Sequence, residues 1–326
     1  MNDQMSDPIT WQEAHAGIAA AQDFLKNHRY RPQSGAHVNV PAAALPGLLQ
    51  QYREMSSPSD ATTLRPMRSI HHFACTGGTL ISRCIAAMPN TQVLSEVDPL
   101  NPLPRGNGFV PTDLIGLARF GSRPPSQEVL VEMFLSGLGV LADEARRTGV
   151  DVVLRDHAHG QFCSGAEIVE RPTLQEILRT RHALRSLVTV RHPLDSYLSL
   201  GDRGWVLFTP TGIEEYACRY MGFLDRYSGV EILRYEDFVA NPKTRMRHIC
   251  KVLGLSYNPE FQQVLSALHL SGDSGRTGVV ISMRARRSIP QETKAGITQS
   301  ATYAALCARL GYAPEPDASA LPSGIP

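Results

Sequence analysis

Residues 69–99, SIHHFACTGGTLISRCIAAMPNTQVLSEVDP, decide the fold. The run opens with an apolar segment of strand character, Ile70 to Cys75. It turns through Thr76-Gly77-Gly78-Thr79 and becomes helical from Leu80 to about Met88. A strand that enters a glycine turn and opens a helix makes an anion site. The N–H groups of the turn and first helical turn converge, and the helix dipole adds partial positive charge. Gly77 and Gly78 let the backbone approach a phosphate with no Cβ in the way. From the glycines alone, an ordinary strand–helix turn reads the same. The nucleotide-triphosphatase pattern G-x-x-x-x-G-K-[ST] is absent, since the glycines are adjacent and no lysine lies in the loop.

From Met67 onward strand-like and helical stretches alternate. Strands are expected at Ile70–Cys75, Gln92–Leu94, Val150–Leu154, Ser186–Val190 and Glu231–Leu233. Helices are expected near Ser126–Arg147, Leu174–Arg179, Pro193–Leu200 and Gly212–Tyr227. The alternation predicts an α/β fold with a central parallel sheet covered by helices on both faces. Ligands of such sheets bind beyond the carboxyl ends of the strands, so the chemistry is expected where strands hand over to helices.

Residues 1–66 read as an N-terminal helical extension. It holds an amphipathic helix at Trp11–His28, a short helix at Ala42–Tyr52 and a polar linker at Ser56–Thr63. It packs on the main domain, 67–313, or serves as an arm for acceptor binding or homodimer formation. Residues 314–326 read as a disordered tail.

Charged residues make up 19% of the 326-residue chain and hydrophobic ones 42%, as in ordinary globular proteins. A net charge of +1 argues against nucleic acid or a membrane surface as partner. No apolar run approaches the roughly 18 residues of a membrane helix. The polar N-terminal stretch MNDQMSDPITWQEA gives no expectation of a secretory leader. Six cysteines, scattered without CxxC spacing, suggest neither a disulfide framework nor a zinc site, and a cytoplasmic location is expected.

Two strand ends carry unusual residues. Val150 to Leu154 leads into Arg155-Asp156-His157-Ala158-His159, where Arg155 offers a planar fork for an oxyanion. His157 is of a type that takes a proton from a hydroxyl near neutral pH. His157 and His159 are spaced as metal ligands on an extended chain, but no third ligand is evident. Further on, Leu187-Val-Thr-Val ends at Arg191, Pro193 sets a first helical turn, and Ser199 stands two turns into that helix. An arginine and a serine so placed hold a phosphate from two sides.

Thr76-Gly77-Gly78-Thr79-Leu80 resembles the 5′-phosphosulfate loop of sulfotransferases, although Cys75 stands where that family has Lys or Arg. Arg191 with Ser199 matches the family's 3′-phosphate motif. Arg234-Tyr235-Glu236-Asp237 resembles its RYEDL strand end, whose tyrosine commonly lies near the adenine, and Thr244–Leu255 resembles the helix of bacterial members. The resemblance to PAPS-dependent sulfotransferases runs from about Arg68 to Tyr312. It implies a P-loop-type sulfotransferase fold and 3′-phosphoadenosine 5′-phosphosulfate (PAPS) as donor. It also implies a small-molecule or glycan acceptor with a hydroxyl or amine, and no metal.

The resemblance offers two bases. Arg155-Asp156-His157 matches the histidine branch. Glu96, with Pro89 upstream, matches the glycan and tyrosylprotein branches, and its unbroken spacing from the loop favours it slightly. Arg155, Arg83 and His72 are the candidates to replace the missing loop cation, Cys75 itself reading as buried strand-end packing. Leu270–Gly278 reads as a surface loop or, by resemblance, a lid whose Arg276 adds a second guanidinium to the 3′-phosphate. Leu100–Ser126 is the candidate wall of the acceptor pocket. Two other functions compete: a degenerate nucleotide-binding sensor or scaffold, motivated by Cys75, and a P-loop kinase, against which the absent lysine argues.

Overall fold

A computed structural model of the protein describes residues 66–101, 113–268, 270, 281–283 and 285–316. The expected N-terminal extension, residues 102–112 of the acceptor wall, Arg276 with its loop, and residues 317–326 of the tail lie outside the described residues.

The central strand, β1 (Met67–His72), is buried along its whole length although four of its six residues are polar. Each polar residue is matched by a partner. Arg68 pairs with Asp151 at 2.8 Å and donates Nε–H to the Leu253 carbonyl. Ser186, Ser69, His71 and Asp156 form a buried chain with steps of 2.8, 2.9 and 2.7 Å. Tyr227 donates its hydroxyl to the same Asp156 oxygen, Oδ2, at 2.5 Å. Buried polar groups persist only when satisfied in this way. The strand ends at His72, so the expected Ile70–Cys75 is corrected: Phe73 to Gly77 already form the loop.

After β1 come α1 (Gly78–Ala86), β2 (Thr91–Val97), α2 (Leu114–Arg119), α3 (Gln127–Thr148) and β3 (Asp151–Asp156). Then follow α4 (His159–Phe162), β4 (Ser164–Gly165), α5 (Leu174–Arg179), β5 (Leu184–Val190), α6 (Pro193–Asp202), β6 (Leu207–Phe208) and α7 (Ile213–Arg226). The order closes with β7 (Glu231–Arg234), α8 (Tyr235–Ala240), α9 (Pro242–Leu253), a 3-10 turn (Phe261–Ala267), α10 (Gln291–Gln299) and α11 (Ala301–Leu310). The last two helices have no counterpart in the sequence reading.

The five long strands pair in parallel in the order β2-β3-β1-β5-β7, as the alternation of elements predicts. Alternate residues go to opposite faces. Ile70, Val153, Leu187 and Leu233 pack with α1, α8 and α9 on one face. On the other, Val188 and Val190 pack with α6, α7 and α11, and Val152 and Leu154 with α3 and α5. The chain leaves β1 toward β2 and leaves β5 toward β7, in opposite directions, so the crevice between β1 and β5 is the switch point of the sheet.

A short parallel pair, β4 and β6, is anchored by fully buried Arg219. Its guanidinium donates to the carbonyls of Phe162, Ser164, Gly165 and Ala166 and pairs with Glu215. Two hydrogen bonds hold the chain at the end of the described residues, one at Ala313 of the main domain and one at Pro316 in the segment expected as the tail. Ala313 accepts from His192 Nε2 at 3.2 Å, and Pro316 accepts from Arg286 Nη1 at 2.6 Å. Among the described residues no helix is long and apolar enough to cross a membrane.

Candidate active site

The loop after β1 is tight. Thr76 is fully buried, and its hydroxyl donates to the Phe73 carbonyl at 2.8 Å, closing the loop on itself. Gly77, at φ 88°, precedes α1, and no side chain caps the helix. The N–H groups of Gly78, Thr79 and Leu80 therefore stand at a helix start left open by side chains, which favours an anion.

The glycines have a reason other than clearance for a phosphate. A Cβ at Gly77 would lie 2.2 Å from Tyr235 Cδ2, and one at Gly78 would lie 2.4 Å from His72 Cδ2. Both positions are filled by rings from neighbouring strand ends. Cys75 packs against the core as expected, but it is half-buried and stands in the loop at φ 62° rather than at a strand end. Left-handed backbone at a residue with a Cβ costs roughly 1–2 kcal/mol.

Arg155, on β3, is the hub. Its Nη2 donates to Thr79 Oγ1 at 3.0 Å and to His72 Nε2 at 3.2 Å. Its Nη1 donates to Ser95 Oγ at 2.8 Å and pairs with Glu96 Oε1 at 2.7 Å. Acting as acceptor toward a guanidinium, His72 is neutral, and burial together with the Arg155 charge holds its pKa well below the usual value.

Adjacent strand residues ordinarily point to opposite faces, yet Ser95 and Glu96 both reach Arg155. The register of β2 against β3 slips between Leu94 and Val97, and Glu96 sits at φ 63° within that bulge. Bulges re-aim side chains in this manner. The other carboxylate oxygen of Glu96, Oε2, accepts a hydrogen bond from Nδ1–H of His157. The two residues expected as rival bases are thus joined to each other. The His157 backbone N–H is fixed by Val97 O at 3.1 Å. His157 follows β3 and His159 opens α4, so the two do not share the face of an extended chain; their ring centroids are 6.1 Å apart.

Arg83, a candidate for the missing cation, is buried in α1 and donates to the Leu265 carbonyl at 2.5 Å. Of the three candidates, Arg155 is the charged group that touches the loop.

Across the crevice, Arg191 follows β5. Its Nη1 donates to Ser199 Oγ in α6 at 3.3 Å, and its guanidinium lies 5.1 Å from the centre of the Tyr235 ring. The Arg191 N–H donates to Tyr220 at 3.2 Å, and the His192 N–H to Glu236 Oε1 at 3.1 Å. Tyr312 donates to the other oxygen of Glu236 at 2.5 Å; burial raises the Glu236 pKa above the usual carboxylate value. His192 Nδ1 accepts from Leu194 N–H, capping α6, while Nε2–H donates to Ala313. That neutral tautomer is buried, and its pKa is lowered to about 4, chiefly by burial.

No family model and no curated protein matches the chain. Solved structures similar to it include sulfotransferases. The sulfotransferase domain from the Synechococcus PCC 7002 olefin synthase is 16% identical with a TM-score of 0.47, over 78% of this chain and 97% of that one. The sulfotransferase domain from the curacin biosynthetic pathway is 15% identical with a TM-score of 0.42, over 77% and 99%. A mouse sulfotransferase complexed with PAP is 12% identical with a TM-score of 0.38, over 76% and 87%.

Sequence reasoning missed Ser95, Tyr220, Glu236, His192 and Tyr312. Their neighbours in space lie far along the chain, as with Tyr312 and Glu236, 76 residues apart. Asp98, just after β2, was missed too. It holds Arg171 through both oxygens, at 2.9 and 2.6 Å, and fixes the end of the edge strand.

Proposed function

We propose that the protein is a sulfotransferase that moves the sulfuryl group of PAPS to a hydroxyl or amine of a small-molecule or glycan acceptor. The observation that carries this reading is the Tyr235 ring. It lies against Gly77 of the loop and under the Arg191 guanidinium, so that the glycine loop and the Arg191–Ser199 pair adjoin beyond the carboxyl ends of β1 and β5. A nucleotide with a phosphosulfate at one end and a 3′-phosphate at the other suits that pair.

In this reading the loop N–H groups of 78–80 and the Thr79 hydroxyl receive the 5′-phosphosulfate. Arg191 and Ser199 receive the 3′-phosphate, and Tyr235 lies beside the adenosine. Arg155 takes the part of the cation that Cys75 does not supply, facing the oxygens on which charge develops during in-line transfer. The Glu96–His157 pair receives the acceptor proton. Arg276 as a further 3′-phosphate ligand, residues 67–313 as the catalytic domain and a cytoplasmic location belong to the same proposal.

Calorimetry with PAP, and with adenosine 5′-phosphate lacking the 3′-phosphate, tests the nucleotide assignment. PAP is expected to bind more tightly by about 1.5–3 kcal/mol, the size of a charged hydrogen bond, and Arg191→Ala should erase that preference. Equal binding of both nucleotides by the unaltered protein would remove Arg191 and Ser199 from the site. Turnover is then measured with PAPS against a panel of phenols, alcohols and amines. Cys75 favours one second reading, a nucleotide-binding sensor; tight PAP binding without turnover on any acceptor is its signature.

A further inference from the structure

We infer that Glu96 and His157 divide the work of one base: His157 Nε2 takes the acceptor proton, and Glu96 is a positioning residue that fixes the imidazole. The inference rests on the sulfotransferase reading for its chemistry, but its geometry stands independently.

Three observations assign the roles. First, both carboxylate oxygens of Glu96 are engaged, Oε1 by Arg155 and Oε2 by His157. A carboxylate held between a guanidinium and an imidazole N–H is a poor proton acceptor, because its negative charge is already stabilised. Secondly, the same pairing leaves His157 in the opposite condition. With Nδ1–H donated to Glu96, Nε2 carries the lone pair, and it has no hydrogen-bond partner among the described residues. The side chain is also partly exposed, at 22% against 16% for Glu96. Thirdly, the carboxylate is put in place at a cost in backbone strain. Glu96 is in the left-handed region within the bulge of β2, where a regular strand would carry it away from Arg155. Orientation of a base by a carboxylate on its other nitrogen is a general arrangement in enzymes that activate hydroxyls.

The step balances as follows. The acceptor oxygen forms the new bond to sulfur while the bond from sulfur to the bridging oxygen of the 5′-phosphate breaks. That oxygen keeps the bonding electrons as PAP leaves. The hydroxyl proton passes to His157 Nε2, and the imidazolium formed is stabilised by Glu96 until the proton is lost to water.

Two measurements test the division. Nitrogen-15 NMR of the unliganded protein reads the His157 tautomer at a pH where the ring is neutral, with or without any activity. The Nδ1–H form is expected, and Glu96→Gln should shift the ring toward the Nε2–H form. A predominant Nε2–H tautomer in the unaltered protein would overturn the inference.

Kinetics with PAPS and the fastest acceptor of the panel give the second. His157→Ala should lose on the order of 100-fold or more in kcat, and added imidazole should restore part of it. Glu96→Gln should lose about 10- to 100-fold in kcat, with PAP affinity within twofold and no response to imidazole. Glu96→Gly guards against a folding defect, since glycine adopts the left-handed backbone freely. Near-normal turnover in His157→Ala with abolished turnover in Glu96→Gln makes Glu96 the base. If the tautomer is as expected but PAPS is never consumed, the sulfotransferase reading fails while the pairing stands.

Discussion

The two ends of the crevice are built on different principles. At the β1–β3 end, charges are packed against one another on strained backbone. Arg155 touches Thr79, His72, Ser95 and Glu96, and the two non-glycine left-handed residues of the site, Cys75 and Glu96, lie there. At the β5–β7 end the backbone is regular. Arg191 precedes a proline-started helix, and its neighbours are held by a closed set of hydrogen bonds through Tyr220, His192, Glu236 and Tyr312. Strain and mutual charge stabilisation belong where a group must be aimed at a reacting atom. Satisfied regular structure belongs where a ligand is only gripped. The contrast predicts that substitutions at the first end act on rate and those at the second on affinity.

The largest expected effect breaks the first end. Arg155→Met retains much of the volume but loses the guanidinium. Turnover with PAPS should fall by about 10²–10³, equivalent to roughly 2.7–4 kcal/mol of transition-state stabilisation, with PAP affinity changed far less. An equal loss in affinity and rate would make Arg155 a ligand of the ground state and erase the distinction between the ends.

Which parts of this arrangement the sequence displays follows from their range along the chain. The five strands, the glycine turn and the Arg191–Ser199 spacing are local patterns, and the parallel order of the sheet follows from helices alternating with strands. The bulge at Glu96 is not local. It exists because Ser95 and Glu96 both bond to a residue 59–60 positions later, and nothing in Leu94-Ser95-Glu96 announces it. The joining of Glu96 to His157 was hidden for the same reason, so the two read as rivals. Gly77 and Gly78 are visible but read as phosphate clearance; the rings of Tyr235 and His72 that occupy the space come from the start of α8 and from the end of β1 itself. Helices α10 and α11 went unread because α10 buries only Ile297, and α11 shows its apolar face against α7 and α6, which lie far along the chain.

Acid sharpens the comparison from the second end. His192 is neutral in the fold, with its pKa lowered to about 4 against about 6.5 in the unfolded chain. Between those values the unfolded chain binds the proton and the folded one does not. The stabilisation is therefore complete above pH 6.5 and is lost as pH falls toward 4, by up to about 1.4 kcal/mol per pH unit. Urea unfolding at pH 7 and pH 5.5 reads this directly. His192→Asn, which takes up no proton there, should lose less stability over the interval than the unaltered protein. An equal loss in both would assign the acid sensitivity to other buried histidines, His72 and His159 among them.

The smallest effect is at Ser199, and its smallness is the test. Ser199 is buried in α6, and its hydroxyl accepts from Arg191 Nη1 at 3.3 Å, a long bond. Arg191 is also held by the Tyr235 ring beneath it and by its own backbone bond to Tyr220. Removing the hydroxyl therefore leaves the guanidinium in place and, in the proposed reading, takes away one hydrogen bond that an uncharged donor makes to the 3′-phosphate. Ser199→Ala should weaken PAP binding by about 0.5–1.5 kcal/mol, less than Arg191→Ala, with kcat at saturating PAPS unchanged. The Ser199→Ala, Arg191→Ala double variant should bind no worse than Arg191→Ala by more than that same amount if the two side chains grip one phosphate as proposed. If Ser199→Ala alone matches Arg191→Ala, the serine rather than the tyrosine ring orients the arginine, and the second end depends on one contact just as the first depends on Arg155.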